Sequence, residues 1–441
     1  MGGSTGFREG DPRKDHPAWP LYFSNLKQAW DKSKGDGIAI FHPDTGWAEH
    51  PDLIKGNRYH YQDERLSRNF RRDDGEGSGR DPMSRRPFTK ASHGSSVASV
   101  MIGGFGVADA DGEGNETGDG DGDDAARPPL LPDYDELEDA GFASGVAPLA
   151  HVLPQRVVNS VVLFGRDLPA LARAINFATR MTNESSDWNV GVISISLGSP
   201  RSSAPHRRRT AFRDGRLFEA LKYARQSGLI VCAAAGQLTR FLWLNRLFRV
   251  AYPGRSVHTI CAAACDREHD MLASGFYGRE VDITAPGVDI NVTRSDNRLR
   301  PVDPSDPEPP GDEPPDVPRV RVEHTYKETY GSSYATAMLA GACALWLARY
   351  GRDTLIEKYT KPLMLDAFKL AVWDTSDKRH DDADDADDER PCRPTLSGSP
   401  WNADRHGVGV LDVEALLAPD EEDLPSKSRV EACSMAIGWD D

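Results

Sequence analysis

Short apolar runs alternate with helix-period segments along most of this chain, and that alternation restricts the fold more than any other feature. Gly37–Phe41 reads GIAIF, Val161–Phe164 VVLF, Val190–Leu197 VGVISISL and Leu229–Ala234 LIVCAA, and Val257–Ala264 and Val281–Ala285 continue the series. Between them, Leu168, Leu171, Ala172 and Ile175 fall at helical spacing within Leu168–Thr179, and Leu217, Leu221 and Ala224 do so within Leu217–Arg225. Strands this uniformly apolar must be covered on both faces, and strand–helix–strand repetition joins them in parallel. The expected fold class is therefore α/β, a parallel sheet with helices on both faces. Loops after the carboxyl ends of the strands are where a site belongs in such a sheet. The longest apolar run, Ala337–Ala348, is interrupted by Gly341 and is shorter than the roughly 18–20 residues of a membrane span. It reads as a buried helix.

Charge is informative once it is located. Asp109–Asp124 holds eight acids, Asp381–Glu389 seven, and Pro301–Pro318 six together with eight prolines; none contains a base. They carry −21 against a formal −16 for all 441 residues, which leaves +5 on the remainder. Blocks of this kind stay solvated, so the acidity belongs to loop insertions. The expected division is an N-terminal extension over 1–34, a folded domain over 35–418 with inserts near 107–139, 294–326 and 376–399, and a tail over 419–441. Only small basic clusters remain, Arg207–Arg209 and Arg85–Arg86, so neither a nucleic-acid nor a membrane partner is expected. Six cysteines are too few for a disulfide framework, and Cys232, Cys261, Cys265 and Cys343 sit in apolar stretches as buried thiols. Cys261 and Cys265 have no second pair at zinc-ligand spacing. Asp109-x-Asp111-x-Glu113-Gly lacks the bidentate Glu of an EF-hand loop, so structural calcium has no clear motif and no cofactor is expected. With no apolar signal segment after Met1, a cytoplasmic location is expected.

Three segments each carry one member of a nucleophilic triad. Gly37-Ile-Ala-Ile-Phe-His-Pro-Asp44-Thr-Gly puts an acid just beyond a strand, His93-Gly-Ser-Ser-Val-Ala-Ser opens a small-residue helical stretch, and Gly331-Ser-Ser333-Tyr-Ala-Thr begins an apolar helix. A serine hydroxyl needs a base, an imidazole can take its proton, and a carboxylate fixes the imidazole's tautomer. Each piece alone has an ordinary explanation, such as a core histidine or an N-cap serine. Their order, acid then histidine then serine, is that of subtilisin and of neither chymotrypsin nor the α/β-hydrolases.

The chain resembles the subtilisin-like serine peptidases well beyond those three motifs. Asp44-Thr-Gly-Trp-Ala-Glu-His-Pro-Asp-Leu53 resembles the family's aspartate motif, His93-Gly-Ser-Ser its histidine motif and Gly331-Ser-Ser-Tyr-Ala-Thr336 its serine motif. Gly145-Val-Ala-Pro148, Ile195-Ser-Leu-Gly198, Asp282-Ile-Thr-Ala-Pro-Gly287 and His406-Gly-Val-Gly-Val-Leu-Asp-Val-Glu-Ala-Leu-Leu417 are similar to further family segments, in order, over roughly 36–418. The resemblance implies Asp44, His93 and Ser333 as the catalytic set. It also implies Ser196, Leu197, Gly198, Ala235 and Gly236 as substrate-binding positions, no metal at the catalytic centre, and protein or peptide substrates.

Two departures from the pattern matter. Gln237 follows Ala-Ala-Ala-Gly where the family carries its oxyanion-hole Asn, and Ala337 replaces the usual Pro after the serine motif. About 34 residues before the first strand are also too few for a folding prodomain. The leading functional reading is a serine endopeptidase working through an acyl-enzyme on Ser333, with Gln237 as oxyanion donor. The alternative is a peptide-binding pseudoprotease with an impaired oxyanion hole, and an esterase differs from the first only in substrate. Ile195–Gly198 and Cys232–Gly236 carry small or apolar side chains and no carboxylate, so large apolar or aromatic P1 residues are expected over Lys or Arg.

Overall fold

The computed structural model describes residues 11–54, 57–71, 77–83, 90–103, 145–165, 167–184, 188–199, 215–237, 249–298, 321–377 and 407–437. The acidic stretches Asp109–Asp124, Pro301–Pro318 and Asp381–Glu389 and both basic clusters lie outside them. Eight strands are β1 (Ala39–Asp44), β2 (His151–Arg156), β3 (Val190–Ile195), β4 (Ile230–Ala234), β5 (Ile260–Cys265), β6 (Ile283–Pro286), β7 (Ile290–Arg298) and β8 (Arg321–Thr329). The helices are α1 (Trp19–Phe23), α2 (Leu26–Ala29), α3 (Pro51–Ile54), α4 (His93–Ile102), α5 (Asp167–Glu184), α6 (Gly215–Gln226), α7 (Ser332–Tyr350), α8 (Arg352–Tyr359), α9 (Met364–Thr375), α10 (Val413–Leu417) and α11 (Lys427–Ile437).

Strands β1 to β6 form one sheet in the order β2-β1-β3-β4-β5-β6, every pair parallel. Alternate residues of each strand point to opposite faces. Ile40, Val192, Ile230 and Cys232 join α4, α7 and α9 in one core, whereas Phe41, Ile193, Val231 and Ala233 join α5 and α6 in another. Both faces are therefore dry, which is why the strand sequences do not alternate. Sixteen of the nineteen residues of α7 are buried, as a helix apolar all round requires. Gly341 is needed for packing, since a Cβ there would stand 2.6 Å from Val146 Cβ.

The structure corrects one strand expectation. Val161–Phe164 is not a strand but a single bridge, Val162 against Gly198. The sheet's remaining position is filled by β2, whose Pro154 and Gln155 hide it from a search for apolar runs; proline is tolerated there because β2 is an edge strand. The segment assigned to an insert over 294–326 is partly regular, because β7 and β8 pair antiparallel from Ile290↔Thr329 to Arg298↔Arg321. Within the described part of the N-terminal extension, Trp19, Leu21, Phe23, Leu26 and Trp30 are buried in the same core as α7.

Candidate active site

Asp44 ends β1, at the carboxyl edge of the parallel sheet. His93 opens α4, and its Nδ1 lies 2.7 Å from Asp44 Oδ1, with both side chains fully buried. The same carboxylate oxygen accepts the Thr45 N–H at 2.7 Å. Burial pushes the Asp44 carboxyl upward, but the charge and hydrogen bond of His93, aided by His42 and the Thr45 N–H, hold it below the ordinary value. His93 thus has its Nδ1 committed to an anion. Its buried Nε2 has no hydrogen-bond partner among the described residues, which leaves one basic nitrogen for a proton arriving from elsewhere.

The chain around His93 is clasped on both sides. The Ser92 N–H donates to Asp81 Oδ2 at 2.9 Å, and the Thr45 hydroxyl donates to the same oxygen at 2.7 Å. Thr45 Oγ1 in turn accepts the Gly94 N–H at 3.1 Å. Burial raises the pKa of Asp81, and its bonds to Thr45, Met83 and Ser92 work against that rise. Ser92 sits at φ 62°, a left-handed backbone that a serine adopts only when its neighbours hold it there. Gly94 lets the two segments close, since a Cβ there would meet Gly46 O at 2.3 Å and Asp44 Cβ at 3.3 Å.

Ser333 is the second residue of α7, where the helix N-terminus presents unpaired N–H groups. Its Oγ donates to Ser196 O at 3.3 Å, and Ser196 Oγ donates back to Ser333 O at 3.0 Å. The Gly236 N–H donates to Ser332 Oγ at 3.1 Å, and the Ser332 N–H donates to Gln237 Oε1 at 2.8 Å. The ends of β3 and β4 are thereby stitched to the first turn of α7. The His93 ring stands 6.4 Å, centroid to centroid, from Tyr334, the residue after Ser333. The geometry therefore joins Asp44 to His93 directly, Ser196 to Ser333, and Gly236 and Gln237 to the neighbouring Ser332.

The other anticipated binding positions are less open. Leu197 and Ala235 are 1% exposed and belong to the core. Gly198 has both backbone groups engaged, its N–H with Val161 O at 3.2 Å and its carbonyl with the Leu163 N–H at 2.9 Å. Among the described residues no group of three His, Cys, Asp or Glu side chains could hold a metal ion, and no helix is long and apolar enough to cross a membrane.

A model of the subtilase family, Peptidase_S8, matches residues 35–387. The chain belongs to the subtilase family. It is 27% identical over 206 residues to the thermostable alkaline protease of Halalkalibacterium halodurans, covering 47% of this chain and 42% of that one. It is 26% identical over 202 residues to Subtilisin BL of Lederbergia lenta, covering 46% and 55%. These alignments span about half the length of the curated relatives. A protease structure from Pseudoalteromonas arctica superimposes with a TM-score of 0.56 at 20% identity, covering 94% of this chain and 99% of that one. MycP1 from the ESX-1 type VII secretion system does so at 0.54 and 17%, covering 96% and 91%. At such identities the two structures share the fold of this subtilase.

Sequence reading missed Asp81 and His42. Asp81 lies 36 residues from Thr45 and 11 from Ser92 in the chain, and nothing local in Asp81-Pro-Met marks it. His42 was a sharper signal, an ionisable side chain inside a strand buried at every position.

Proposed function

We propose that this subtilase is a serine endopeptidase that hydrolyses protein or peptide substrates through an acyl-enzyme on Ser333. The observation that carries the reading is the 2.7 Å bond between His93 Nδ1 and Asp44 Oδ1, made between fully buried side chains with Nε2 unpartnered among the described residues. Ser333 Oγ attacks the scissile carbonyl while His93 Nε2 takes its proton, and Asp44 stabilises the imidazolium without itself being protonated. The tetrahedral oxyanion is received by the Ser333 N–H and the Gln237 side-chain amide. Because Gln237 Oε1 accepts from Ser332 N–H, the NH₂ end is the one left to donate. The tetrahedral species then collapses: the C–N bond breaks, His93 gives its proton to the departing amine, and water repeats the sequence on the ester.

One contact favours the rival reading of a peptide-binding pseudoprotease. The Ser333 hydroxyl is directed at Ser196 O, at 3.3 Å. A turn about one side-chain bond, well within thermal reach, redirects it. A fluorophosphonate probe with intact-mass readout separates the two. One adduct, lost in Ser333→Ala, is expected; a folded parent that never labels would leave the pseudoprotease.

A further inference from the structure

His42 is fully buried on β1, two residues before Asp44. Its ring is surrounded by oxygens. Nδ1 is 3.2 Å from Ser194 O and Nε2 is 3.2 Å from Gly94 O, both within hydrogen-bond geometry. Nε2 also stands 3.9 Å from Asp44 Oδ2. A neutral imidazole has one N–H and one lone pair. Either neutral tautomer would therefore aim a lone pair at a carbonyl oxygen, with the ring and both partners buried. The doubly protonated ring satisfies both carbonyls at once.

The second half of the argument concerns Asp44. Its Oδ1 takes the bonds from His93 and Thr45, but Oδ2 is buried and has no hydrogen-bond partner among the described residues. An isolated buried carboxylate oxygen is costly, and the His93 bond is made to Oδ1, not to Oδ2. The ring of His42 is the group facing that oxygen. We propose that His42 is a positioning residue of the active site, held as an imidazolium that donates to Ser194 and Gly94 and supplies the counter-charge for Asp44 Oδ2. Burial first, and His93 beside it, lower the pKa of His42, and Asp44 and the two carbonyls oppose this only in part. The groups acting on the ring are Asp44 from its own strand, His93 and the Gly94 carbonyl from α4, and the Ser194 carbonyl from β3; Asp44 is felt in addition by Asp81 and Lys90. The charge is assigned on the geometry, since no neutral ring answers the two carbonyls and the carboxylate oxygen together.

A role follows for the proton balance of the site. A fixed cation beside Asp44 opposes a further positive charge in the same buried site, so its removal is read in the acid limb of the activity profile. It also ties the first turn of α4, which begins with His93, to the sheet.

The activity arm of the test rests on the peptidase reading; the spectroscopic arm does not. Side-chain ¹⁵N–¹H correlation spectra of the full chain at neutral pH, with His42→Gln locating the signals, are expected to show both His42 ring nitrogens protonated. One nitrogen resonating as an unprotonated lone-pair nitrogen overturns the proposal. In turnover, His42→Gln keeps a donor and comparable size but loses the charge. The acid limb of kcat/KM is expected to move up by about half a pH unit or more, with KM within about twofold. A limb that does not move overturns the charge assignment, because a loss of packing alone lowers kcat without shifting it. A parent that folds but never labels with the fluorophosphonate sinks the peptidase reading, and the nitrogen signals still decide the state of His42.

Discussion

Gln237 meets the serine turn with its amide oxygen already fixed by the Ser332 N–H, and this anchor answers the main objection to a longer oxyanion donor. Glutamine has one torsion more than asparagine, and a donor is useful at a developing charge only if it is held in place. In the peptidase reading, Gln237→Leu is expected to lower kcat by about 10²–10³ with KM nearly unchanged, the size of loss seen when subtilisin's own side-chain donor is removed. Unchanged kcat would move the donor role elsewhere. Asp81 acts one step further out, through Thr45 and Ser92. In Asp81→Asn the one carbonyl oxygen can still accept, but the NH₂ would face either the Met83 N–H or the Ser92 N–H and Thr45 hydroxyl, donors from which a carboxylate oxygen accepts. Loss of a charge-assisted bond of this kind is worth about 1.5–3 kcal/mol. Asp81→Asn is therefore expected to cost about 10–100-fold in kcat, while KM shifts by no more than about twofold. Steady-state kinetics on one peptide substrate checks both. The three motif residues were legible in the sequence because each stands in a distinctive local run. Asp81 and His42 were not, because their significance lies in partners brought from other elements by the fold.

Helix α3 and the β7–β8 hairpin brace α4 from outside the sheet. Ser96 Oγ donates to Thr293 O at 2.7 Å, and the Ser295 N–H donates to Ser92 Oγ at 3.3 Å, directly beside His93. His50, in the turn entering α3, has Nε2 3.2 Å from Thr325 O on β8, and its Nδ1 accepts the Asp52 N–H at 3.3 Å. With one nitrogen accepting and the other donating, this ring is neutral. Burial first, and then nearby His324, lower its pKa to about 4. A histidine depressed in the fold takes up protons more readily in the unfolded chain. Its contribution is therefore present above about pH 6.5 and is lost progressively as pH falls toward about 4. The shift corresponds to about 3 kcal/mol at most. Urea midpoints are expected to fall between pH 7.5 and pH 5, and His50→Gln, which keeps a donor for Thr325, is expected to flatten that dependence. An identical slope in the variant would remove His50 from the account. Elements of this class also mark the limit of sequence reading. β3, β4 and β6 were anticipated to within a few residues from apolar runs, whereas β2 carries Pro154 at an edge and β7–β8 carry the polar alternation of a hairpin that has one face on α4.

At the scale of the molecule, the sheet with its two dry faces is only part of the folded unit, because the polar N-terminal stretch closes one of its cores. Trp19 is 1% exposed and its indole N–H donates to Asp289 O at 2.9 Å, in the loop between β6 and β7. Its ring meets Phe23 edge-on at 5.3 Å and lies beneath the Arg267 guanidinium at 5.4 Å. Trp30, a few residues on, donates to Val146 O at 2.8 Å, beside the close contact of Val146 with α7. These residues lack periodicity because α1 and α2 are each under two turns long, too short for a repeat to register, yet their bulky side chains reach the core that holds the serine helix. The described part of the extension thus contributes to the same core as α7. Removing a buried tryptophan of this kind costs about 3–5 kcal/mol, through lost transfer free energy and the cavity left behind. Trp19→Ala is expected to lower the unfolding free energy by that amount, read as a lower urea midpoint with the slope unchanged, since the same surface is exposed on unfolding. A surface appendage would give a midpoint within error of the parent, and a variant that loses its m-value instead would mean that the N-terminal segment unfolds on its own, apart from the sheet.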